Sequence, residues 1–148
     1  QKERERVLAT LRAEIRNDRP RPSCRALLSH EICNLSDDEL VEIGSHAINH
    51  LVLSMQPLEV QRQELLESRR ELEAILGRRV ASFSYPYGGQ ADVGRAVELV
   101  QDAGYEVACA NFPAPVSHES NPLFLPRFIV RDWNGTEFEQ HMRQFFNS

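Results

Sequence analysis

The sequence predicts an α/β protein with short parallel strands and helices on their outer face. Two observations lead there. Helical apolar patterns about 10–20 residues long alternate with short extended runs. The order reads helix, strand, helix, strand, extended run, helix, which favours parallel strands over hairpins.

From the N-terminus, Val7, Leu8, Leu11 and Ile15 fall at helical spacing in a charged stretch, so residues 2–17 read as an amphipathic helix. The Asn-Asp-Arg-Pro-Arg-Pro stretch at 17–22 ends it, because proline cannot continue the hydrogen-bond ladder and restricts the residue before it. Ser36 with Glu39 has the form of a capping box opening a short helix to residue 41 or 42. A turn or short strand around Ile43 then delivers His46 and His50.

Over 57–76, Leu58, Leu65, Leu72 and Leu76, helped by Val60, Leu66 and Ile75, make the apolar stripe of a long helix, and Gly77 is its stop. Val80, Ala81, Phe83 and Tyr85 form a strand ending at Pro86-Tyr87-Gly88-Gly89. Val93, Ala96, Val97, Val100 and Ala103 mark a helix closed by Gly104, and 105–110 reads as a buried strand. A third extended run covers 123–130, interrupted by Pro126. Thr136 with Glu139 is a second capping box, ahead of a final helix with Phe138, Met142, Phe145 and Phe146 on its apolar side.

With 148 residues, 41% of them apolar, the chain makes about one domain with a real core. A net charge of -5 without a basic patch argues against nucleic acid as a partner. No run approaches the roughly 20 apolar residues of a bilayer span, so no membrane span is expected. Cys24, Cys33 and Cys109 are odd in number and lack Cys-x-x-Cys spacing, which predicts reduced, structural thiols. The start at Gln1-Lys2-Glu3, without methionine, reads as an excerpt or a processed product.

Three clusters could carry chemistry. His46 and His50, four apart behind a glycine and a serine, would place two imidazoles on one side of a helical turn, within reach of one ion. The same spacing suits a polar surface pair. Ser84-Tyr85-Pro86-Tyr87-Gly88 is a rigid aromatic loop at a strand exit, able to offer backbone N–H groups to a ligand or simply to plug a turn. Arg127, Arg131, Asp132 and Trp133 could pair an arginine with Asp132 beside a covering indole, or form a solvated salt bridge and a core tryptophan. His30, His118 and His141 lack ligand spacing to one another and read as surface or locally bonded histidines.

In order, Glu42 through His50, Leu72 through Gly77, Phe83 through Gly88, Ala103-Gly104-Tyr105 and Leu125-Pro126-Arg127 resemble the polysaccharide deacetylase family with its NodB-type domain, over about residues 36–146. The resemblance implies an irregular or incomplete (β/α) barrel, with 1–35 as a helical connecting or inserted segment and 36–148 as the C-terminal part of the domain. It also implies removal of acetyl groups from an acetylated carbohydrate, an N-acetyl sugar first. A divalent metal, zinc first, would be held by one aspartate and two histidines matching His46 and His50. The backbone N–H of Tyr87 would contribute to an oxyanion hole.

The family's Thr-Phe-Asp-Asp-Gly motif, source of the metal aspartate and the catalytic base, is missing. Asp37-Asp38 lies in a capping sequence with no strand before it and does not replace it. Ser84 stands where an arginine is often found, and no Leu-x-His motif supplies a general acid. Either the aspartates lie upstream in a longer polypeptide or the domain is a noncatalytic carbohydrate-binding or scaffold piece; a hydrolase or lyase on another (β/α) scaffold remains a third class. A sheet lacking its first strand would expose a parallel edge, so a homodimer, or an N-terminal segment completing the sheet, is expected as a partner.

Overall fold

The computed structural model describes residues 2–15 and 25–147. The expected proline break at 17–22 and Cys24 lie outside the described residues; Cys33 and Cys109 are free thiols. Helix α1 spans Lys2–Glu14, and its stripe of Val7, Leu11 and Ile15 stays about half exposed.

Helix α2 covers Ser29–Ser36, so Ser36 closes a helix instead of opening one. Its hydroxyl donates back to Cys33 O at 2.8 Å. The opening signal is Glu31, whose carboxylate accepts the Leu28 N–H at 2.8 Å and is held by Arg25. Leucine at the cap position hides that start from a search for serine, threonine or aspartate.

Helix α3 (Leu58–Leu76) follows Pro57 and ends at Gly77, which takes φ 65 in the left-handed region open to glycine. Its buried face differs from the expected leucine stripe. Leu65 is buried and Leu72 and Leu76 pack on the core, but Leu58 and Leu66 face solvent. Gln61, Glu64 and Ser68 are buried beside Leu65 instead, at helical spacing.

Strands β1 (Ser82–Ser84) and β2 (Val107–Cys109) pair in parallel, with Phe83 opposite Ala108. Single parallel bridges extend this small open sheet on both sides, Ser45 to Phe83 and Cys109 to Leu125. The run at 123–130 therefore contributes one ladder residue. Pro126 has no N–H to donate, and pairing resumes as an isolated bond from Arg127 N–H to Phe112 O at 3.0 Å.

The helix expected from Val93 to Ala103 is divided into α4 (Gln90–Val93) and α5 (Ala96–Asp102). Gly94 between them, at φ 50 and ψ -127, lies outside helical space. Helix α6 (Gly135–Asn147) is capped by Asn134, whose Oδ1 accepts the Thr136 and Glu137 N–H groups while Glu137 answers the Asn134 N–H. That exchange corrects the expected Thr136 and Glu139 box by two residues. Between sheet and helices, Val80, Phe83, Tyr105 and Ala108 meet Leu65, Leu99 and Val100 in one core.

The start of α2 carries a pH signature. Arg25 first, then the Leu28 N–H, holds the Glu31 carboxyl down from 4.5 to about 2. The folded value lies below the unfolded one, so this contact contributes stability above the ordinary carboxylate range and loses it as pH falls through about 2. Titration of Glu31 by NMR should give that depressed midpoint, and Arg25→Ala should move it back toward 4.5. An unmoved midpoint in the variant would remove Arg25 from the account.

Candidate functional site

Four chain segments run parallel through the ladder, and the residues after each one face the same cavity. Ser45 leads to His46 and His50, β1 to Tyr85 and Tyr87, β2 to Asn111, and Leu125 to Arg127, Phe128 and Ile129. The cavity holds about 450 Å³. Its place at the carboxyl ends of parallel strands is where (β/α) folds gather ligands, because loops there diverge from a rigid support.

The two histidines sit on an irregular loop, not on the helical turn expected from their spacing. Ala47 and His50 both take positive φ, 62 and 53, which folds the chain back so that the imidazole centroids lie 4.8 Å apart, edge to face. Such angles cost a residue with a Cβ about 1–2 kcal/mol each, so the loop must be held from outside. At its start, Ser45 donates its N–H to Ser82 O and accepts from Ser84 N–H, and its hydroxyl meets Ser68 of α3. In its middle, the buried Glu64 carboxylate accepts the N–H groups of Ile48 and Asn49 at 3.0 and 2.8 Å and the Asn49 amide at 2.6 Å.

His46 Nδ1 lies 2.6 Å from Ser84 O. A carbonyl can only accept, so the proton of the neutral ring sits on Nδ1 and Nε2 keeps its lone pair. Ligating histidines have this arrangement, with one nitrogen tied to a carbonyl and the other free.

Across the cavity, the His50 ring meets Tyr87 at 5.0 Å between centroids. Tyr87 has φ 62, and Gly88 N–H bonds Pro86 O at 2.7 Å, a three-residue γ-turn in its strained form. Asn111 secures the turn: its N–H donates to Gly88 O at 2.7 Å and its side chain to Tyr87 O at 3.1 Å. The Tyr87 N–H meets no acceptor among the described residues. Tyr85 borders the cavity but is buried at 2% exposure, with its hydroxyl donating to Leu123 O at 2.8 Å. Burial pushes that hydroxyl well above the usual phenol range, so it moves no proton near neutral pH.

The third sequence cluster borders a second cavity of about 290 Å³ that shares Asn111, Arg127, Phe128 and Ile129 with the first. Among the described residues Asp132 forms no ion pair with either arginine. Arg127 instead donates through Nε to Ala110 O at 2.7 Å, which leaves the rest of its guanidinium to the two cavities. Trp133 stacks on His141 at 3.9 Å, and Phe128 on Phe145 at 3.7 Å.

The donor chemistry suits two positions of a metal site, imidazole being a good ligand for zinc and its neighbours. No group of three or more histidine, cysteine or acidic residues poised for an ion exists among the described residues, and no carboxylate lines the first cavity. Sequence reading missed Glu64 and Asn111. Glu64 left one signal, a polar residue next to Leu65 at core spacing on a long helix. Asn111 left none, because its role is set by contacts across strands.

A sequence profile described as polysaccharide deacetylase matches residues 21–108. Comparison with curated proteins returns no significant match. Among solved structures the chain is similar to a deacetylase of Streptococcus pyogenes, PplD, in complex with acetate, at 20% identity and a TM-score of 0.70, covering 82% of this chain and 53% of that one. It is also similar to a Bacillus cereus polysaccharide deacetylase, at 21% identity and TM-score 0.61, with 78% and 40% covered. A de-N-acetylase from Aggregatibacter actinomycetemcomitans shares 14% identity at TM-score 0.62, with 77% and 52% covered. The chain thus spans about half the length of these solved deacetylases or less, and its open parallel sheet is an incomplete barrel of their type. With more than half of its residues matched by the profile, it belongs to the polysaccharide deacetylase family.

Proposed function

We propose that the chain is the histidine-bearing portion of a metal-dependent hydrolase that removes acetyl groups from an acetylated carbohydrate, with an N-acetyl sugar as first substrate. The observation that carries this reading is one cavity that joins two close imidazoles, one tied through Nδ1 to a carbonyl, with a strained Tyr87 turn whose N–H has no acceptor among the described residues. His46 through Nε2, together with His50, would hold a divalent ion, zinc first. Its third donor, an aspartate by the family resemblance, comes from outside the residues that line the cavity. When bound, such an ion polarises an acetyl carbonyl and lowers the pKa of a coordinated water.

The chain's own residues then act as follows. Tyr87 N–H is a donor available to the acetyl oxygen as negative charge develops there, and the Asn111 contacts keep that donor preorganised. Arg127 and the aromatic wall of Phe128 and Trp133 flank the path along which the rest of a sugar chain would lie. Taking the proton from water needs a carboxylate, assigned like the third donor to residues beyond this lining.

In the intact polypeptide, His46→Ala and His50→Ala should each lower bound zinc and deacetylation at least about tenfold, read by metal analysis and acetate release. Unchanged metal content and rate in both variants would sink the assignment. Gly88→Ala tests the Tyr87 turn separately, because an added Cβ would lie 3.0 Å from Asn111 N and 3.1 Å from Tyr85 O at φ 69. It should lower kcat by about 10²-fold while zinc content stays near parental. Parental kcat in a folded Gly88→Ala protein would remove Tyr87 from the mechanism.

A second reading, a noncatalytic carbohydrate-binding domain, draws support from the two-donor limit among the described residues. Its surface would consist of Tyr87 and Trp133, since Tyr85 is buried. Calorimetry with acetylated oligosaccharide separates the readings: binding indifferent to chelator favours this one.

A further inference from the structure

We infer that Glu64 is a positioning residue for His50, its carboxylate holding the 47–50 loop in the folded-back form that brings the two imidazoles together. Glu64 is 5% exposed and forms no ion pair among the described residues. Its charge is met by donors from the histidine loop: the consecutive N–H groups of Ile48 and Asn49 on Oε2, and the Asn49 side chain on Oε1. A carboxylate so deeply buried is tolerable only while those donors stay in place.

The two bonded amides lie between the loop's two left-handed residues, Ala47 and His50. Relaxing Ala47 to negative φ would swing the amides that follow it off Oε2. The carboxylate and the strained loop therefore hold each other in place, and α3 transmits the rigidity of the core to a ligand it does not itself provide. Without Glu64 the loop loses its only acidic anchor in the described structure, and His50 is free to leave His46 at 4.8 Å and Tyr87 at 5.0 Å.

The positioning stands on geometry alone; its effect on metal affinity rests on the function proposed above. Three substitutions separate the parts. Glu64→Leu removes both acceptor oxygens and keeps an apolar side chain of similar size. Glu64→Asp keeps the charge but withdraws it by one methylene. Glu64→Gln keeps one oxygen for the two backbone donors, and the Asn49 amide can turn round to meet its NH₂, so it should rescue in part.

The readouts are amide hydrogen exchange at Ile48 and Asn49 without metal, and calorimetric affinity for zinc alone in the full polypeptide. Glu64→Leu and Glu64→Asp should speed exchange at both amides at least about tenfold and weaken zinc binding about 10–100-fold, with core amides of β1 unchanged. Glu64→Gln should fall between them and the parent. Parental exchange in Glu64→Leu overturns the inference, as does parental exchange in Glu64→Asp should the leucine variant fail to fold. A parent that binds no zinc defeats the proposed function, while the exchange comparison still decides the role of Glu64.

Discussion

A buried carboxylate with no ion-pair partner among the described residues constrains everything around it, and in this chain that group is Glu64. Removing an ionised carboxyl from water costs several kcal/mol even after relaxation, so its lone pairs must be filled by donors that cannot wander. The donors come from the segment carrying the two histidines. Ser68, one turn further along α3, meets Ser45 at the head of the same segment, and the Tyr105 hydroxyl reaches Ser68 and Leu65 O from the opposite side. The polar face of α3 thus replaces strand pairing for a stretch of chain that contributes one residue to the sheet.

The same economy runs through the rest of the site. The segments after Ser45 and after β1 leave a ladder residue anchored by backbone hydrogen bonds, then turn sharply within two or three residues. The described residues with a Cβ and positive φ are Ala47, His50 and Tyr87, all in this site. Backbone strain of this kind persists where surrounding contacts over-determine it, and here those contacts are Glu64 on one side and Asn111 on the other. A stiff donor geometry costs nothing further when a ligand arrives, which is why such strain accompanies preorganised sites.

Elements governed by local chemistry were legible in the sequence. Gly77 ends α3 where the stripe ends, β1 and β2 form within the expected runs 80–85 and 105–110 though shorter at both ends, and Gly104 at φ 82 closes α5. The misreadings have a common form. Ser36 and Thr136 look like helix openers, but capping depends on which residue leaves helical space first, and that was decided by Leu28 and Asn134. Leu58 and Leu66 look like core, but the buried arc of α3 is rotated toward Gln61, Glu64 and Ser68, the last two of which bond the histidine segment. Spacing alone put the histidines on a helix; the loop reaches a similar closeness by two left-handed turns.

The sequence by itself determined the residue inventory of the site and the family: two imidazoles behind Gly44-Ser45, an aromatic turn after a strand, and the ordered motifs between them. These are local patterns, with composition and spacing as their whole content. The tertiary structure alone decided how the inventory works. It tied His46 Nδ1 to Ser84 O, the Tyr87 turn to Asn111, and Asn49, the residue before His50, to Glu64. Those partners lie 38, 24 and 15 residues away along the chain, beyond the reach of any periodicity, because hydrogen bonds that long in sequence exist only once the sheet and α3 have brought the segments together.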